Sequence, residues 1–175
     1  MSGSATLIVF AGLPAAGKST LARRLAREMR AVFLRIDTIE QSIRDAGFGG
    51  GDMGPMGYAA AYNVARDNLA LGHTVVADSV NPLAVTRDAW RRVARRAGVP
   101  IIEVEVVCSD RAEHRRRVET RPSDVAGLVL PTWQEVVDRE YAQWDRERVV
   151  IDTAGRDVEE SSSELRAKLV NAGAT

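Results

Sequence analysis

The sequence has 175 residues, 45% hydrophobic and 27% charged, which is typical of a soluble globular chain with its own core. Lysine plus arginine and aspartate plus glutamate each number 24, so the net charge of zero argues against a protein that coats nucleic acid non-specifically. No apolar run approaches the roughly 20 residues that cross a bilayer, the N-terminus lacks the pattern of a secretory signal, and the single cysteine, Cys108, can form no internal disulfide. We therefore expect a cytoplasmic protein without a membrane association.

The first part of the chain is predicted to form two strand–helix units. The apolar run over 6–10 predicts a buried strand, and the leucines spaced by four over 18–29 predict an amphipathic helix. A second strand is predicted over 31–36. Asp37 is the expected N-cap of the next helix, and Glu40 lies where a capping box places its second member.

The rest of the chain continues this alternation. The glycine-rich segment 47–55 predicts a flexible loop, because no regular element tolerates that composition. The elements predicted after it are helix 58–71, strand 74–77, helix 84–97, strand 101–107, helices 111–120 and 132–144, strand 149–151 and helix 158–169. Such alternation predicts an α/β fold, with a five-stranded parallel sheet, helices on both faces, and a single domain over 1–175.

The strongest motif follows the first predicted strand and opens the first predicted helix. It is Gly12-Leu13-Pro14-Ala15-Ala16-Gly17-Lys18-Ser19-Thr20, which fits G-x-x-x-x-G-K-[ST] without departure. Its glycines let backbone N–H groups approach phosphate oxygens, and the helix N-terminus adds partial positive charge. In this motif Lys18 reaches the β and γ phosphates and the Ser19 hydroxyl ligates Mg²⁺, so the expected cofactors are ATP and Mg²⁺.

Two aspartates follow predicted strands at the edge where ligands of open α/β sheets bind. Asp37 comes after the second strand and Asp78 after the third. One carboxylate can accept the proton of an attacking hydroxyl, and the other can hold Mg²⁺. We assign Asp37 as the general base and Asp78 as the metal-side carboxylate. The reverse assignment stays open, as do the purely structural roles of helix cap and turn former.

These motifs resemble those of the small P-loop kinases and phosphotransferases. That group includes gluconate kinase, adenylylsulfate kinase, chloramphenicol phosphotransferase, zeta toxin and the kinase domain of polynucleotide kinases. The resemblance extends over nearly the whole chain and is strongest to the predicted bacterial AAA-type kinases. The matching features are the GLPAAGKST loop, the stretch Leu34-Arg35-Ile36-Asp37, and Asp78-Ser79-Val80-Asn81-Pro82 followed by Arg87. By resemblance, the aspartate that matches Asp37 is the base.

The resemblance also implies a small arginine-rich lid, the segment of about 111–131. Arg117 and Arg121 are the candidates to clamp phosphates, and their spacing of four places them on one helical face. A solvated basic helix is the alternative for these arginines. In related kinases the loop that matches Asp152 and Thr153 lies against the adenine.

Three functions are consistent with these residues. The first is an ATP-dependent phosphotransferase that acts on a small-molecule alcohol such as a sugar, nucleoside or antibiotic, with the loop of 47–57 and the lid closing over it. The second is a polynucleotide 5′-hydroxyl kinase, which the Asp78–Pro82 stretch favours and the neutral charge disfavours. The third is a non-catalytic or slowly hydrolysing nucleotide switch, although the chain has neither an N-K-x-D segment nor a well-placed glutamine to orient water. No residue pattern identifies the acceptor or the oligomeric state.

Overall fold

The computed structural model describes residues 5–48 and 53–173, and within them the chain forms one parallel β-sheet. The strands are β1 (Leu7–Ala11), β2 (Val32–Arg35), β3 (Val75–Asp78), β4 (Ile101–Val107) and β5 (Val149–Asp152). Their order across the sheet is β2-β3-β1-β4-β5, and every neighbouring pair is parallel. The carboxyl ends of all five strands therefore lie along one edge, where ligands of such sheets bind.

Helices cover both faces of this sheet. They are α1 (Lys18–Met29), α2 (Ile36–Asp45), α3 (Met56–Ala70), α4 (Ala84–Ala97), α5 (Arg111–Thr120), α6 (Trp133–Val137) and α7 (Val158–Asn171). The central strand β1 is fully buried: Ile8 and Phe10 pack towards α1 and α7, whereas Leu7 and Val9 pack towards α3 and α4. A strand buried on both faces has no polar alternation, which is why its sequence is a continuous apolar run. The predicted α/β architecture is confirmed.

The start of α2 differs from the prediction. The helix begins at Ile36, so the expectation that Asp37 is its N-cap is wrong. The extended Arg35 occupies the cap position, and no described side chain caps this end. Because β2 runs directly into α2, Asp37 falls in the first helical turn, where its charge still favours the positive end of the helix dipole. Glu40 forms no capping box and lies 3.8 Å from the Arg44 guanidinium.

The predicted helix over 132–144 is also wrong in its extent, because α6 is much shorter. Thr132 caps the start of α6 and forms a capping box with Glu135. Beyond α6, the rings of Tyr141 and Trp144 lie 5.1 and 3.9 Å from the buried guanidinium of Arg87. These contacts with α4 hold the segment in an irregular path, so tertiary packing overrides the helical spacing.

Two further points concern the loops and helices. Part of the predicted glycine-rich loop, residues 49–52, lies outside the described residues, and its flanking Gly47 and Gly54 have positive φ values of 83° and 51°. Within the described ranges, none of the helices combines the length and the apolar character needed to cross a membrane.

Candidate functional site

The loop between β1 and α1 turns tightly around the first residues of α1. Gly12 has a φ of 139°, and a Cβ there would lie 2.2 Å from the carbonyl oxygen of Val106, so this position requires glycine. Gly17 has a φ of 97° and precedes α1 without a side-chain cap from any described residue. The N–H groups at the start of α1 are thus left for a ligand, and a helix N-terminus favours an anion.

Hydrogen bonds from other parts of the chain fix this loop. The hydroxyl of Thr153, after β5, donates to the carbonyl oxygen of Ala16 at 2.9 Å. The buried ring of His114, in α5, places Nε2 at 2.8 Å from the Pro14 carbonyl oxygen and packs edge-on against Trp133. The sequence shows His114 only as one member of a basic helix, so its support of the loop has no local signal.

A cavity of about 490 Å³ opens beside this loop, and we call it the P-loop cavity. The predicted site residues that line it are Ala15, Gly17, Lys18, Ser19, Thr20, Arg117, Arg121 and Thr153. The predicted site residues outside its lining are Gly12, Leu13, Pro14, Ala16, Asp37, Asp78 and Asp152. The Asp152 carboxylate accepts the backbone N–H groups of Ser109 and Ala154, both at 3.0 Å, and so shapes the loop that carries Thr153.

Asp78 lies buried at the end of β3, and neither of its carboxylate oxygens has a hydrogen-bond partner among the described residues. Burial raises the pKa of this carboxyl, although the nearby Lys18 ammonium and Ser19 hydroxyl act in the opposite direction. A buried carboxylate that makes no hydrogen bond with the described residues and lies beside a hydroxyl fits a hard cation, which takes oxygen ligands. Ser19 and Asp78 are therefore the residues that fit Mg²⁺. In the described ranges no three acidic, histidine or cysteine side chains form a metal cluster, so phosphate and water would complete the ion's coordination.

Asp37 lies at a second cavity, of about 480 Å³, which we call the tyrosine cavity after its lining residues Tyr58 and Tyr62. Its side chain is 38% exposed. Arg35, which lines the P-loop cavity, joins the two spaces: its Nη2 lies 3.6 Å from Asp37 Oδ2, and its Nε lies 3.7 Å from Asp78 Oδ2. The two aspartates that we predicted as functional residues thus flank one buried arginine, with Asp78 beside the P-loop and Asp37 in the second cavity.

The segment predicted to be a lid, 111–131, lines part of the P-loop cavity, and its two candidate arginines differ in their surroundings. Arg117 donates to the hydroxyl and the carbonyl oxygen of Thr153, at 2.8 and 2.9 Å, and to Glu113 at 2.6 Å. Arg121 instead has a buried Nε without a hydrogen-bond partner in the described part of the chain. Burial lowers the pKa of Arg121, whereas the nearby Asp37 carboxylate opposes this. Arg121 is therefore the lid arginine with a donor left for a ligand.

The two arginines do not share a helical face in the way their spacing predicts. Arg121 is the C-cap of α5 and has an extended backbone, so its side chain leaves the helix. Both residues nevertheless line the P-loop cavity.

Sequence reasoning gave no role to Arg35 or to Asp124. Asp124, in the lid, accepts hydrogen bonds from Arg35 at 2.8 Å and from Arg23 at 2.5 Å. These guanidinium groups, Arg35 foremost, hold the pKa of the Asp124 carboxyl well below its usual range. The residues are far apart in the chain, and an arginine before a strand end carries no local signal for such a contact.

Comparisons with known proteins identify the family and the fold of the chain. Residues 7–140 match the model of a family described as an AAA domain. No curated protein matches the chain at a significant level. Many solved structures share its fold.

An APS kinase of Mycobacterium tuberculosis, solved in complex with AMPPNP and APS, is 21% identical with a TM-score of 0.72, over 95% of this chain and 98% of that chain. A gluconokinase from Sinorhizobium meliloti is 20% identical with a TM-score of 0.67, over 98% and 93% of the two chains. Kti12 of Chaetomium thermophilum, in complex with ADP-AlF3, is 25% identical with a TM-score of 0.70, over 97% and 100%. The chain therefore belongs to this AAA-domain family and has the fold of the small P-loop kinases.

Proposed function

We propose that this protein is an ATP-dependent kinase that transfers the γ-phosphate of ATP to a hydroxyl group of a small molecule. The observation that carries the proposal is the position of Asp37. This carboxylate lines the tyrosine cavity, and it lies 3.6 Å from Arg35, which lines the P-loop cavity. A donor in one cavity and an acceptor in the other would meet beside a carboxylate that can take a proton.

The residues divide the work of in-line transfer. Lys18 and the N–H groups at the start of α1 would bind the β and γ phosphates. When bound by Ser19 and Asp78, Mg²⁺ would neutralise phosphate charge. Arg121, whose buried Nε has no described partner, would donate to the transferring group, where guanidinium groups stabilise developing charge.

Asp37 would act on the acceptor. As the acceptor oxygen forms its bond to the γ-phosphorus, the bond from that phosphorus to the β-phosphate oxygen breaks and ADP leaves. The hydroxyl proton passes to the Asp37 carboxylate. Asp37 is partly exposed, so it can release this proton to solvent after transfer.

The comparisons support this class of reaction. Two neighbours of the same fold are kinases by name, one of them solved with AMPPNP and APS. Kti12 was solved with ADP-AlF3, so the fold accommodates a nucleotide there as well. Nucleotide binding by this chain is the inference that these structures support most directly.

The stretch Asp78–Pro82 favours a polynucleotide acceptor by resemblance. In this protein its backbone groups form hydrogen bonds that stabilise the fold. The fully buried Arg87 donates to the carbonyl oxygens of Asn81 and Pro82, both at 3.1 Å. The Val80 carbonyl oxygen accepts the N–H of Gly12. These contacts give the backbone of the stretch a structural role, so its presence does not by itself favour a nucleic acid strand as acceptor.

The proposal is tested by incubating the protein with Mg²⁺, γ-labelled ATP and a set of alcohols and 5′-hydroxyl oligonucleotides. Label should move to an alcohol in the native protein and not in Lys18→Ala, which should also bind ATP more weakly. Label on the oligonucleotides alone would support the polynucleotide alternative. Slow release of labelled phosphate with no acceptor product would support the nucleotide switch.

A further inference from the structure

We propose that the acceptor is an alcohol with an apolar or aromatic body and one anionic group, a carboxylate or a phosphate, placed away from the reacting hydroxyl. This inference rests on the proposed function, because it assigns the acceptor to the tyrosine cavity. That cavity, at about 480 Å³, is within the range of about 300–1,000 Å³ usual for small-molecule sites.

The walls of the tyrosine cavity are largely apolar. Besides the two tyrosine rings, they are formed by Ile36, Pro55, Val80, Pro82, Leu83 and Val85. Tyr58 and Tyr62 lie in one aromatic group, with ring centroids 6.0 Å apart, and Tyr62 meets the buried Trp90 edge-on at 4.6 Å. A rigid aromatic wall of this kind favours a flat or apolar ligand body.

Several polar groups of the lining are already engaged with the protein. The Tyr62 hydroxyl donates to the Thr86 carbonyl oxygen at 3.2 Å, and the Thr86 hydroxyl donates to the Leu83 carbonyl oxygen at 2.8 Å. The Tyr58 hydroxyl accepts the backbone N–H of Asn81 at 2.9 Å, and burial raises the pKa of Tyr58 to about 12. A polyol would bring many hydroxyls to this wall and find few partners, and unpaired buried polar groups weaken binding.

Two positive charges stand at the exposed part of the same cavity. Arg92, on α4, and Arg139, after α6, both line it, and both are exposed. Neither forms an ion pair with a described residue, in contrast to Arg91 on the same helix, which binds Glu103 at 2.8 Å. Arg139 acts on Glu135 only at longer range, where it helps to lower the pKa of that carboxyl. Guanidinium groups that form no close ion pair suit a carboxylate or phosphate of the ligand.

The positive and the acidic residues of the tyrosine cavity lie on different elements of the chain. Val85, Ala89 and Arg92 form one stripe of the helix that faces the cavity. Val85 lies in the first turn of α4, and Arg92 is seven residues further on, about 10 Å along the helix axis. The acidic residues of the cavity, Asp37 and Glu40, both lie on α2. The ligand's hydroxyl is thus expected at Asp37 and its anion at Arg92 and Arg139.

Binding can be measured without turnover, in the presence of Mg-ADP, by titration calorimetry or ligand-observed NMR. The probes are para-hydroxymethyl-phenylpropanoate, the matching phenylethyl phosphate, the neutral propanamide, and gluconate as a polyol of the same charge as the carboxylate. At least one aromatic anion should bind about tenfold more tightly than the amide and than gluconate, which is the effect of a charge-assisted hydrogen bond. The carboxylate and phosphate arms show which anion the two arginines prefer.

The double variant Arg92→Ala/Arg139→Ala should lose the preference for the aromatic anion over the neutral amide, whereas Arg27→Ala, an exposed arginine on α1 outside the cavity lining, should keep it. The proposal is overturned if gluconate or the amide binds as well as both aromatic anions, if no probe binds, or if the double variant retains the preference. Label transfer from ATP is measured in parallel. If the aromatic anion still binds more tightly than the neutral amide but no alcohol receives label, the proposed kinase activity is contradicted. The inference about which ligand the tyrosine cavity binds would then still hold.

Discussion

Nη1 of Arg35 lies 2.8 Å from Oδ2 of Asp124, so the lid is tied to the strand that leads into the candidate base. Arg23 of α1 binds the same carboxylate oxygen at 2.5 Å. Arg35 also approaches Asp37 and Asp78 within 4 Å. One buried guanidinium therefore links the predicted lid segment to both carboxylates that we assign to phosphoryl transfer.

Asp124→Asn should loosen the lid, because it removes the charge that holds Arg35 and Arg23. We expect faster backbone hydrogen exchange over 122–131 in the variant, measured by mass spectrometry without ligand. Glu119→Gln, which removes an exposed ion pair with Arg115, is the matched control and should leave that segment unchanged. Equal exchange in Asp124→Asn and the native protein would show that the contact does not hold the lid.

The pH dependence of the lid contact follows from the direction of the shift. The pKa of Asp124 is lowered in the folded protein. The stabilisation that its charged carboxylate provides is therefore fully present above the ordinary carboxyl pKa of about 3.9. It is lost as the pH falls through the lower pKa of the folded state. Protection of the backbone amides of 122–131 from hydrogen exchange should persist from neutral pH to about pH 4 and should decline only below that pH. Loss of protection between pH 7 and pH 5 would contradict this assignment.

Asp78→Asn should stabilise the ligand-free protein and abolish Mg²⁺-dependent transfer. Asp78 is buried without a hydrogen-bond partner among the described residues, and burial raises its pKa, so the charged form is disfavoured in the fold. A gain of about 1 kcal/mol would raise the melting temperature by about 3 °C. A destabilised variant would show that the nearby cations already compensate the buried charge.

The sign of the pH effect distinguishes this explanation from improved packing. A carboxyl with a raised folded pKa binds its proton more tightly in the folded state, so the free energy of unfolding falls as pH rises from about 4 through the folded pKa. The stability difference between Asp78→Asn and the native protein should therefore grow over that interval. A difference that is constant with pH would be a packing effect.

Arg121→Ala should lower the transfer rate by about 10²-fold, the usual cost of losing one donor to developing charge. Its melting temperature should change little, because the Arg121 Nε has no described hydrogen-bond partner. Arg117→Ala should lower both activity and stability, because Arg117 holds Thr153 with two hydrogen bonds. Arg115→Ala, on the exposed side of α5, is the control. Full activity in Arg121→Ala would show that this arginine is not part of the reaction.

The parts of the molecule that the sequence predicts are those with a local signal. Four predicted elements are confirmed at both ends: the strand over 101–107 and the helices over 18–29, 84–97 and 111–120. Their ends are marked in the sequence by hydrophobic patterns and by residues that end helices and strands. The shape of the P-loop follows from glycines whose neighbours exclude a side chain, as at Gly12.

What the sequence did not predict depends on residues far apart in the chain. Arg35 meets Asp124 across 89 positions, and neither has a pattern that signals the other. The segment after α6 has helical spacing but packs its aromatic rings on Arg87 instead. The positive charge of the tyrosine cavity likewise comes from two separate elements, with Arg92 on α4 and Arg139 in the segment after α6.

The central claim is that Asp37 takes the proton of an acceptor hydroxyl while ATP is bound next to it. The most direct measurement compares Asp37→Asn with the native protein, with an alcohol found in the labelled-ATP assay as acceptor. Single-turnover transfer of the γ-phosphate should fall by about 10²-fold or more in the variant, while ATP affinity stays nearly unchanged. An unchanged transfer rate would contradict the claim, and an equal loss of ATP affinity would make Asp37 a metal-side residue instead of the base.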